Sequence, residues 1–342
     1  MRFEFYSDEL LEVPKLSVDG TVPNSIHLSH WGGNRTPAIL KADTSTEIAL
    51  NFVASPRRDE LAGGLRLVTN NHFDTDGVLS VWTVLQGERA LPHRERLISA
   101  AEAGDFSEWT SDEGVRASII IQGSDQPVPG ENILSPLANH LAGRVVTDEA
   151  EAYELVLPEV ERVLTRPEGY EPLWRDAWAR METAARSFER GESRVEENSG
   201  LSVVTLSPAA FGPEGFDPSR HTVPLTIISR YARQGLFLIA VEASEGWFYR
   251  IDYPYYSWAD TVTRPRVGRR NLSPVIAVLN ESERGGGRWS LDKRELSSAI
   301  KFLDERGALA VSRLEPERVA QALRAALLET GEGVAAESLT NG

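Results

Sequence analysis

Apolar residues in this chain come in short runs whose spacing changes along its length. Within the first sixty residues "SIHLSH" alternates in the manner of a strand. "STEIALNFVAS" has helical spacing and opens with Ser or Thr, with Glu in the first turn. "LRLVTNNHFDTDGVLSVWTVL" reads as a strand, a polar loop and an apolar helix, and "PHRERLISAAEAGDF" as a helix. "VRASIIIQG" has the β-branched character of a buried parallel strand. This alternation predicts an α/β domain over residues 1–130, built on a parallel sheet whose ligands sit at the strand C-termini.

From 131 to 192 the spacing is helical throughout. "TDEAEAYELVLPEVERVL" and "EPLWRDAWARMETAARSFERG" repeat apolar residues every three or four positions, and Trp174, Trp178, Met181, Ala185 and Phe188 form a stripe that belongs in a core. "GESRVEENSG" (191–200) is polar, charged and glycine-ended, which predicts a linker. Beyond it "LSVVTLS", "TVPLTIISRYA", "GLFLIAVEAS" and "GWFYRIDYPYYSW" read as strands joined by short turns. They predict a β-rich (α+β) C-terminal domain over 193–330 with an antiparallel sheet. "SLDKRELSSAIKFLDERG" and "EPERVAQALRAALLE" read as helices, and 331–342 as a flexible tail. The fold class is therefore α/β: a parallel-sheet domain, a helical insertion and a β-rich domain.

Composition narrows the function. The chain has 342 residues, 41% of them apolar, enough for a sizeable core, and no apolar run approaches the length of a membrane span. There is no cysteine, which excludes disulfides and thiolate chemistry, and "MRFEFYSDELLEV" turns acidic without the apolar core of a signal peptide; a cytoplasmic location is expected. A net charge of −15 argues against extended nucleic acid or anionic membrane as a partner. Against that background "RPRVGRR" (264–270) stands out, and "ESERGGGRW" (281–289) adds two more arginines. The cluster reads as a confined anion site using Arg264, Arg266 and Arg270, or as solvated arginines paired with nearby glutamates. The aromatic run "WFYRIDYPYYSWADTVTRPR" has two readings as well, a planar substrate stacked beside arginines or a tyrosine-rich sheet edge.

The densest chemistry lies in "NNHFDTDGVLSVW" (70–82). Alternate residues of an extended loop point the same way, so His72, Asp74 and Asp76 can converge on one ion, and imidazole with carboxylate suits a manganese-like ion. Gly77 is expected to let the chain turn into the following helix. The plainer reading is a turn in which Asp caps a helix. "DTDGVL" matches as a string the motif of haloacid-dehalogenase-type phosphatases. That family also needs a downstream lysine and a later acidic pair; only Lys293 and Lys301 lie far downstream, and no Asp-Asp or Gly-Asp follows position 276. "HFDTDGVLS" resembles the first motif of the DHH phosphoesterases, His-x-Asp-x-Asp-Gly-x-x-Ser. "SIHLSHWGGNRTPAILKADTSTEIALNF" (25–52) is similar to their third-motif region, with His27 and His30 where the Asp-His-His would stand; because it precedes the first motif, either the order of elements is permuted or the two sites are only analogous. The resemblance covers residues 25–125 and implies a divalent metal, manganese or magnesium, at the mouth of a parallel sheet. The layout is also similar to that of an uncharacterised bacterial family, which implies no activity.

Together these readings predict a metal-dependent hydrolase acting on a phosphoester or phosphoanhydride within a small anionic molecule. The metal would rest on His72, Asp74, Asp76 and Asp43, catalysis on His30 and Asp76, and the anion on Arg264, Arg266 and Arg270. Alternatives are a metal-dependent enzyme on a non-phosphate metabolite and a binding protein with a relic site. Each weaker candidate keeps a structural reading: Asp43 as a helix cap, Glu47 as a capping-box partner, His27 facing away from His30 on its strand, and Asp125 after "SIIIQG". His93, His140 and His221 have no supporting context. The absence of Gly-x-Gly-x-x-Gly, Walker and Gly-x-Ser-x-Gly motifs weakens nucleotide-cofactor, ATPase and serine-hydrolase readings.

Overall fold

The structure, a computed structural model, describes residues 1–127, 133–292 and 298–329; the tail expected over 331–342 lies outside the described residues. The chain divides into two compact units. The first comprises 1–182, 221–230 and 258–266; the second comprises 183–220, 231–257 and the chain from 267 onward.

The first unit is built on four strands, β1 (Arg2–Phe3), β2 (Lys15–Val18), β3 (Ser25–Leu28) and β4 (Leu67–Thr69), in the order β1-β4-β2-β3 and all parallel. Leu16 pairs with Ile26 on one side and Val68 on the other, so β2 is central, and its four residues are all buried. Parallel sheets survive where helices cover both faces. The helices of this unit are α1 (Ser45–Ala54), α2 (Arg58–Leu61), α3 (Thr75–Gln86), α4 (Arg94–Phe106), α5 (Asp112–Gln122), α6 (Pro136–Ala142), α7 (Glu149–Val156) and α8 (Val160–Thr165); α1 and α3 lie directly against the strands, and Tyr153 of α7 packs on Phe3. The start of α9 (Glu171–Glu189) and most of α10 (Leu225–Tyr231) belong to the same unit. Leu16, Val18, Leu28, Val68, Leu50, Val78, Leu79 and Val81 are in one apolar cluster, which ties sheet and helices together.

The second unit carries a six-stranded sheet: β5 (Arg194–Asn198), β6 (Leu201–Leu206), β7 (Phe237–Ala243), β8 (Gly246–Asp252), β9 (Arg288–Leu291) and β10 (Ser298–Leu303), in the order β5-β6-β7-β8-β10-β9. It is antiparallel except for the parallel pair β6/β7. Helices α11 (Ser273–Ser282) and α12 (Pro316–Glu329) accompany it, and Leu238, Ala240, Tyr249, Ile251, Trp289, Ile300 and Phe302 share its core. The α/β class is as expected. No helix among the described residues is long and apolar enough to cross a membrane.

Four local expectations are corrected. "VRASIIIQG" is helical, not a strand: Ser111 accepts from the Gly114 amide as N-cap, Asp112 and Glu113 occupy the first turn, and the isoleucines are buried within α5. Burial in the core outweighs the modest strand preference of isoleucine. "TVPLTIISRYA" is also helical, because the Asp125 carboxylate accepts from both the amide and the hydroxyl of Thr226 in the first turn of α10. The supposed linker contains β5, a charged edge strand paired with β6 across a two-residue turn at Ser199 and Gly200. Its exposed charges disguised it, and such charges guard sheet edges. Finally, "SLDKRELSSAIKFLDERG" is not one helix, since Arg288–Leu291 and Ser298–Leu303 are paired strands. Ile300 and Phe302 join the apolar cluster while Lys301 between them pairs with Asp292, which is the period of a strand.

Candidate metal centre

The C-terminal ends of the parallel strands converge on a knot of titratable side chains. Asp19 follows β2 directly, at φ +46°, in the left-handed region that aspartate tolerates better than most residues. His30 follows β3 by two positions, and the loop after β4 brings His72, Asp74 and Asp76. Asp105 arrives from elsewhere, near the end of α4. These form two groups in which one atom from each member lies within 4.8 Å of the others: Asp19, His30, Asp76 and Asp105, and Asp19, His72 and Asp74. Asp19 belongs to both.

In the first group the His30 Nε2 is 3.1 Å from Asp105 Oδ2, 3.4 Å from Asp19 Oδ1 and 3.6 Å from Asp76 Oδ2. In the second the His72 Nε2 is 3.0 Å from both Asp19 Oδ2 and Asp74 Oδ2. Ligand atoms about 2.1 Å from an ion stand about 3.0 Å apart in an octahedron and about 3.4 Å apart in a tetrahedron. The observed separations have that size. Neither His30 Nε2 nor Asp105 Oδ2, both buried, has a hydrogen-bond partner despite their proximity. Buried polar atoms without partners are rare, and these two stand 3.1 Å apart. The donor set therefore fits a divalent ion.

Surrounding contacts aim these groups. The His30 Nδ1 lies 2.7 Å from the Asp43 carbonyl and donates to it, so once the ring is deprotonated its lone pair is on Nε2. Asp76 accepts from the Ser45 and Thr46 amides at 2.7 Å each, so the N-terminus of α1 carries its charge. Asp74 accepts from the Gly77 amide through Oδ1 as N-cap of α3, while Oδ2 faces His72. Capping and ligand presentation thus use different oxygens of one residue. Asp19 Oδ1 accepts from the Ser45 hydroxyl at 2.8 Å and the Trp31 indole at 3.2 Å. Gly77 is needed for space: a Cβ there would stand 2.5 Å from Asn70 Nδ2 and 2.7 Å from Tyr153 Oη. Gly104 similarly lets α4 approach Thr75, where a Cβ would stand 2.7 Å from that side chain.

The electrostatics are those of crowded carboxylates. Burial and the charge of Asp19 push Asp76 up to about 7, against the pull of His30. Burial together with Asp74 and Asp76 raises Asp105 well above the carboxylate range. Burial alone would lower both imidazoles. Instead Asp105 and Asp19 hold His30 well above its ordinary value, and Asp74 with Asp19 lifts His72 to about 12. Asp19, despite its burial, is held low by the two imidazoles. Without an ion the cluster retains protons where an ion would sit.

Of the residues singled out from sequence, His30, His72, Asp74 and Asp76 come together. The Asp43 side chain does not join them: it accepts from the Val262 and Thr263 amides, the Thr263 hydroxyl and Arg264. The N-cap of α1 is Thr44. Arg264 also meets Glu102 and Glu108. Arg266 is exposed in the same unit, and Arg270 lies in the second unit, where it donates to the Leu327 carbonyl. His27 accepts from the Arg35 amide, Glu47 pairs with Arg94, Asp125 holds Thr226, His93 packs edge-on to Trp82, and His140 is exposed. Neither His221 nor any of these belongs to either group.

Sequence reasoning missed Asp19 and Asp105. Asp19 stood in plain form at the end of "KLSVDG", a strand followed by Asp-Gly. Asp105 continues the stripe Leu97, Ala101 of α4 at four-residue spacing, and a carboxylate on an apolar helix face is itself a signal.

A family model matches residues 1–337 of the chain. The chain belongs to DUF6687, a family of unknown function. No curated protein matches this DUF6687 chain by sequence. Among solved structures it is similar to the pGpG-specific phosphodiesterase PggH from Vibrio cholerae, at 11% identity and a TM-score of 0.34, with 93% of this chain and 100% of that one covered.

Proposed function

We propose that this DUF6687 chain is a metal-dependent hydrolase acting on a phosphoester or phosphoanhydride. The observation that carries the reading is the pair of ligand groups sharing Asp19, with the buried and unpartnered His30 Nε2 and Asp105 Oδ2 facing each other. One ion would be held by Asp19, His30, Asp76 and Asp105, and a second by Asp19, His72 and Asp74. Imidazole beside carboxylate favours manganese over magnesium. When bound, such ions supply charge for phosphoryl oxygens and lower the pKa of water towards neutrality.

The chain's own residues then have distinct tasks. Asp19 turns one oxygen to each group and would keep two ions at a fixed separation. His30 and Asp76 are wholly buried, so we assign them to holding an ion in place of the acid–base role expected from sequence. His72 and Asp74 are partly exposed and mark the side from which a substrate can approach. Arg264 already faces three carboxylates, Asp43, Glu102 and Glu108, which leaves it poorly suited to an anion. Arg266 is the better anion contact in that unit.

The test is a panel of phosphomonoesters, phosphodiesters and pyrophosphate, incubated with the purified full chain and manganese, magnesium or chelator. Hydrolysis of at least one class, with manganese and not with chelator, is expected. Protein that takes up manganese yet hydrolyses none of them would sink the hydrolase reading.

A further inference from the structure

The two ligand groups are not equivalent. We infer that they form two ion positions of unequal permanence: an inner one on Asp19, His30, Asp76 and Asp105 that keeps its divalent cation, and an outer one on Asp19, His72 and Asp74 that exchanges its cation with solvent. This rests on the metal-dependent reading above and extends it to how firmly each ion is held.

Access separates the two. The inner side chains of Asp19, His30 and Asp76 are 0% exposed and Asp105 is 4% exposed, whereas His72 and Asp74 are 24% and 25% exposed. Trp258 stands edge-on to the His30 ring at 5.0 Å and Phe106 lies 5.7 Å from it. Asp76 is tied to two amides of α1 while itself sitting in the first turn of α3. An ion in the inner group leaves only if α1, α3 and α4 open, a local unfolding of packed core. The outer group needs only the His72 side chain to swing out, and its Nδ1 meets nothing stronger than the Asn71 side-chain oxygen at 3.2 Å.

Charge points the same way. The inner group offers three carboxylates and one imidazole, whereas the outer adds just one carboxylate and one imidazole to the shared Asp19. Affinity for a hard divalent cation follows ligand charge and rigidity, and both are greater inside. The inner position fills first. The outer one then competes for Asp19, whose charge is already partly neutralised, and its occupancy tracks the free ion concentration.

The experiment loads the full chain with manganese, passes it into excess chelator, and follows protein-bound manganese by elemental analysis after rapid desalting. Two ions per chain are expected, one leaving at least ~100-fold faster than the other, as release without core opening should be. His72→Ala should bind a single ion that leaves at the slow rate. Loss of both ions in one phase, or loss of the slow phase in His72→Ala, would overturn the inference. Asp74→Asn is a second variant with the same expectation, should His72→Ala fold poorly. Biphasic release without hydrolysis of any phosphate ester would remove the hydrolase reading and leave this one standing. Monophasic release from an active, manganese-dependent enzyme would do the reverse.

Discussion

Both units bury charge, and they do it in opposite ways. In the second unit the Arg250 guanidinium meets Asp252 at 2.6 and 3.2 Å, and Lys301 meets Asp292 at 2.6 Å. Each carboxylate there has a cation of its own, so the pairs are balanced within the sheet. In the first unit, Asp19, Asp74, Asp76 and Asp105 crowd around two imidazoles, and among the described residues no lysine or arginine is in ion-pair contact with any of the four. Moving carboxylates out of water costs several kcal/mol each unless something of opposite charge compensates. The sheet of the second unit carries its compensation in its own side chains. The strand ends of the first unit do not, and the missing charge is what a divalent ion would bring. A buried charged cluster thus points to a ligand when its charges fail to cancel, more than when it is merely buried.

The largest effect is expected at the shared carboxylate. Asp19→Asn keeps the shape of the side chain and removes the charge that both ligand groups use. Activity on any phosphate ester found in the panel should fall at least ~1000-fold, since the ions' transition-state stabilisation is worth several kcal/mol and each ~1.4 kcal/mol is tenfold. Manganese content should fall with it. An Asp19→Asn protein that retains both ions and most activity would mean the cluster's charge imbalance has no metal behind it.

The control lies in the other unit. Asp252→Ala leaves Arg250 without the carboxylate it meets at 2.6 Å, in surroundings where Asp252 is 1% exposed. Breaking a buried pair from one side costs about 3–5 kcal/mol, reduced here because Arg250 retains some solvent contact. Chemical denaturation should show that loss while manganese stoichiometry stays at the wild-type value. A fall in manganese content in this variant would show that the ligand groups depend on the Arg250–Asp252 pair.

A pH series sharpens the distinction. Asp76 has its carboxyl raised to about 7 by burial and Asp19. A carboxyl raised on folding contributes stability that is full below its unfolded value near 4 and is lost as pH rises through about 7. His72, raised to about 12, acts with the same sign at higher pH. The ion-free protein should therefore lose stability between roughly pH 4 and pH 7 at Asp76. Asp76→Ala, which removes the titrating carboxyl, should lose less melting temperature than ion-free wild type as pH rises from about 4 to about 8. Manganese at a hundredfold excess over its Kd should stabilise wild type by about 2.7 kcal/mol and the variant by much less. Equal manganese shifts in the two proteins would remove Asp76 from the ligand set.

How much of this was legible beforehand depended on where each residue's neighbours lie in sequence. The loop His72, Asp74, Asp76 announced itself because its members are adjacent and follow an apolar strand. His30 was visible for the same reason, ending "SIHLSH". Asp19 and Asp105 each stood alone, and only the parallel order β1-β4-β2-β3 and the packing of α4 bring them to the others. The Asp43 carboxylate looked equally suitable, yet it is spent on residues 262–264, more than two hundred positions away. The fold class could be read from periodicity. Where single elements were misread, as in α5, α10 and β10, three isoleucines, a distant aspartate and an alternating pair in a charged run outweighed local appearance.

The smallest expected effect tests how finely the shared carboxylate is aimed. The Trp31 indole donates to Asp19 Oδ1 at 3.2 Å, and its ring lies 5.1 Å from His72 and 5.3 Å from Trp258. Trp31→Phe keeps an aromatic ring in that space and deletes only the donor. Partners that orient a metal ligand are worth about tenfold to a hundredfold in affinity, and the Ser45 hydroxyl still donates to the same oxygen at 2.8 Å, so the lower figure is expected here. Manganese binding should weaken about tenfold while the melting temperature of the ion-free protein barely moves. Ser45→Ala should do something similar. If both bonds aim one carboxylate, the double variant will lose an amount different from the sum of the two, because residues sharing a partner do not act independently. Strict additivity, or an unchanged affinity in Trp31→Phe, would mean that Asp19 is held by its own left-handed backbone and the indole is only a wall beside it.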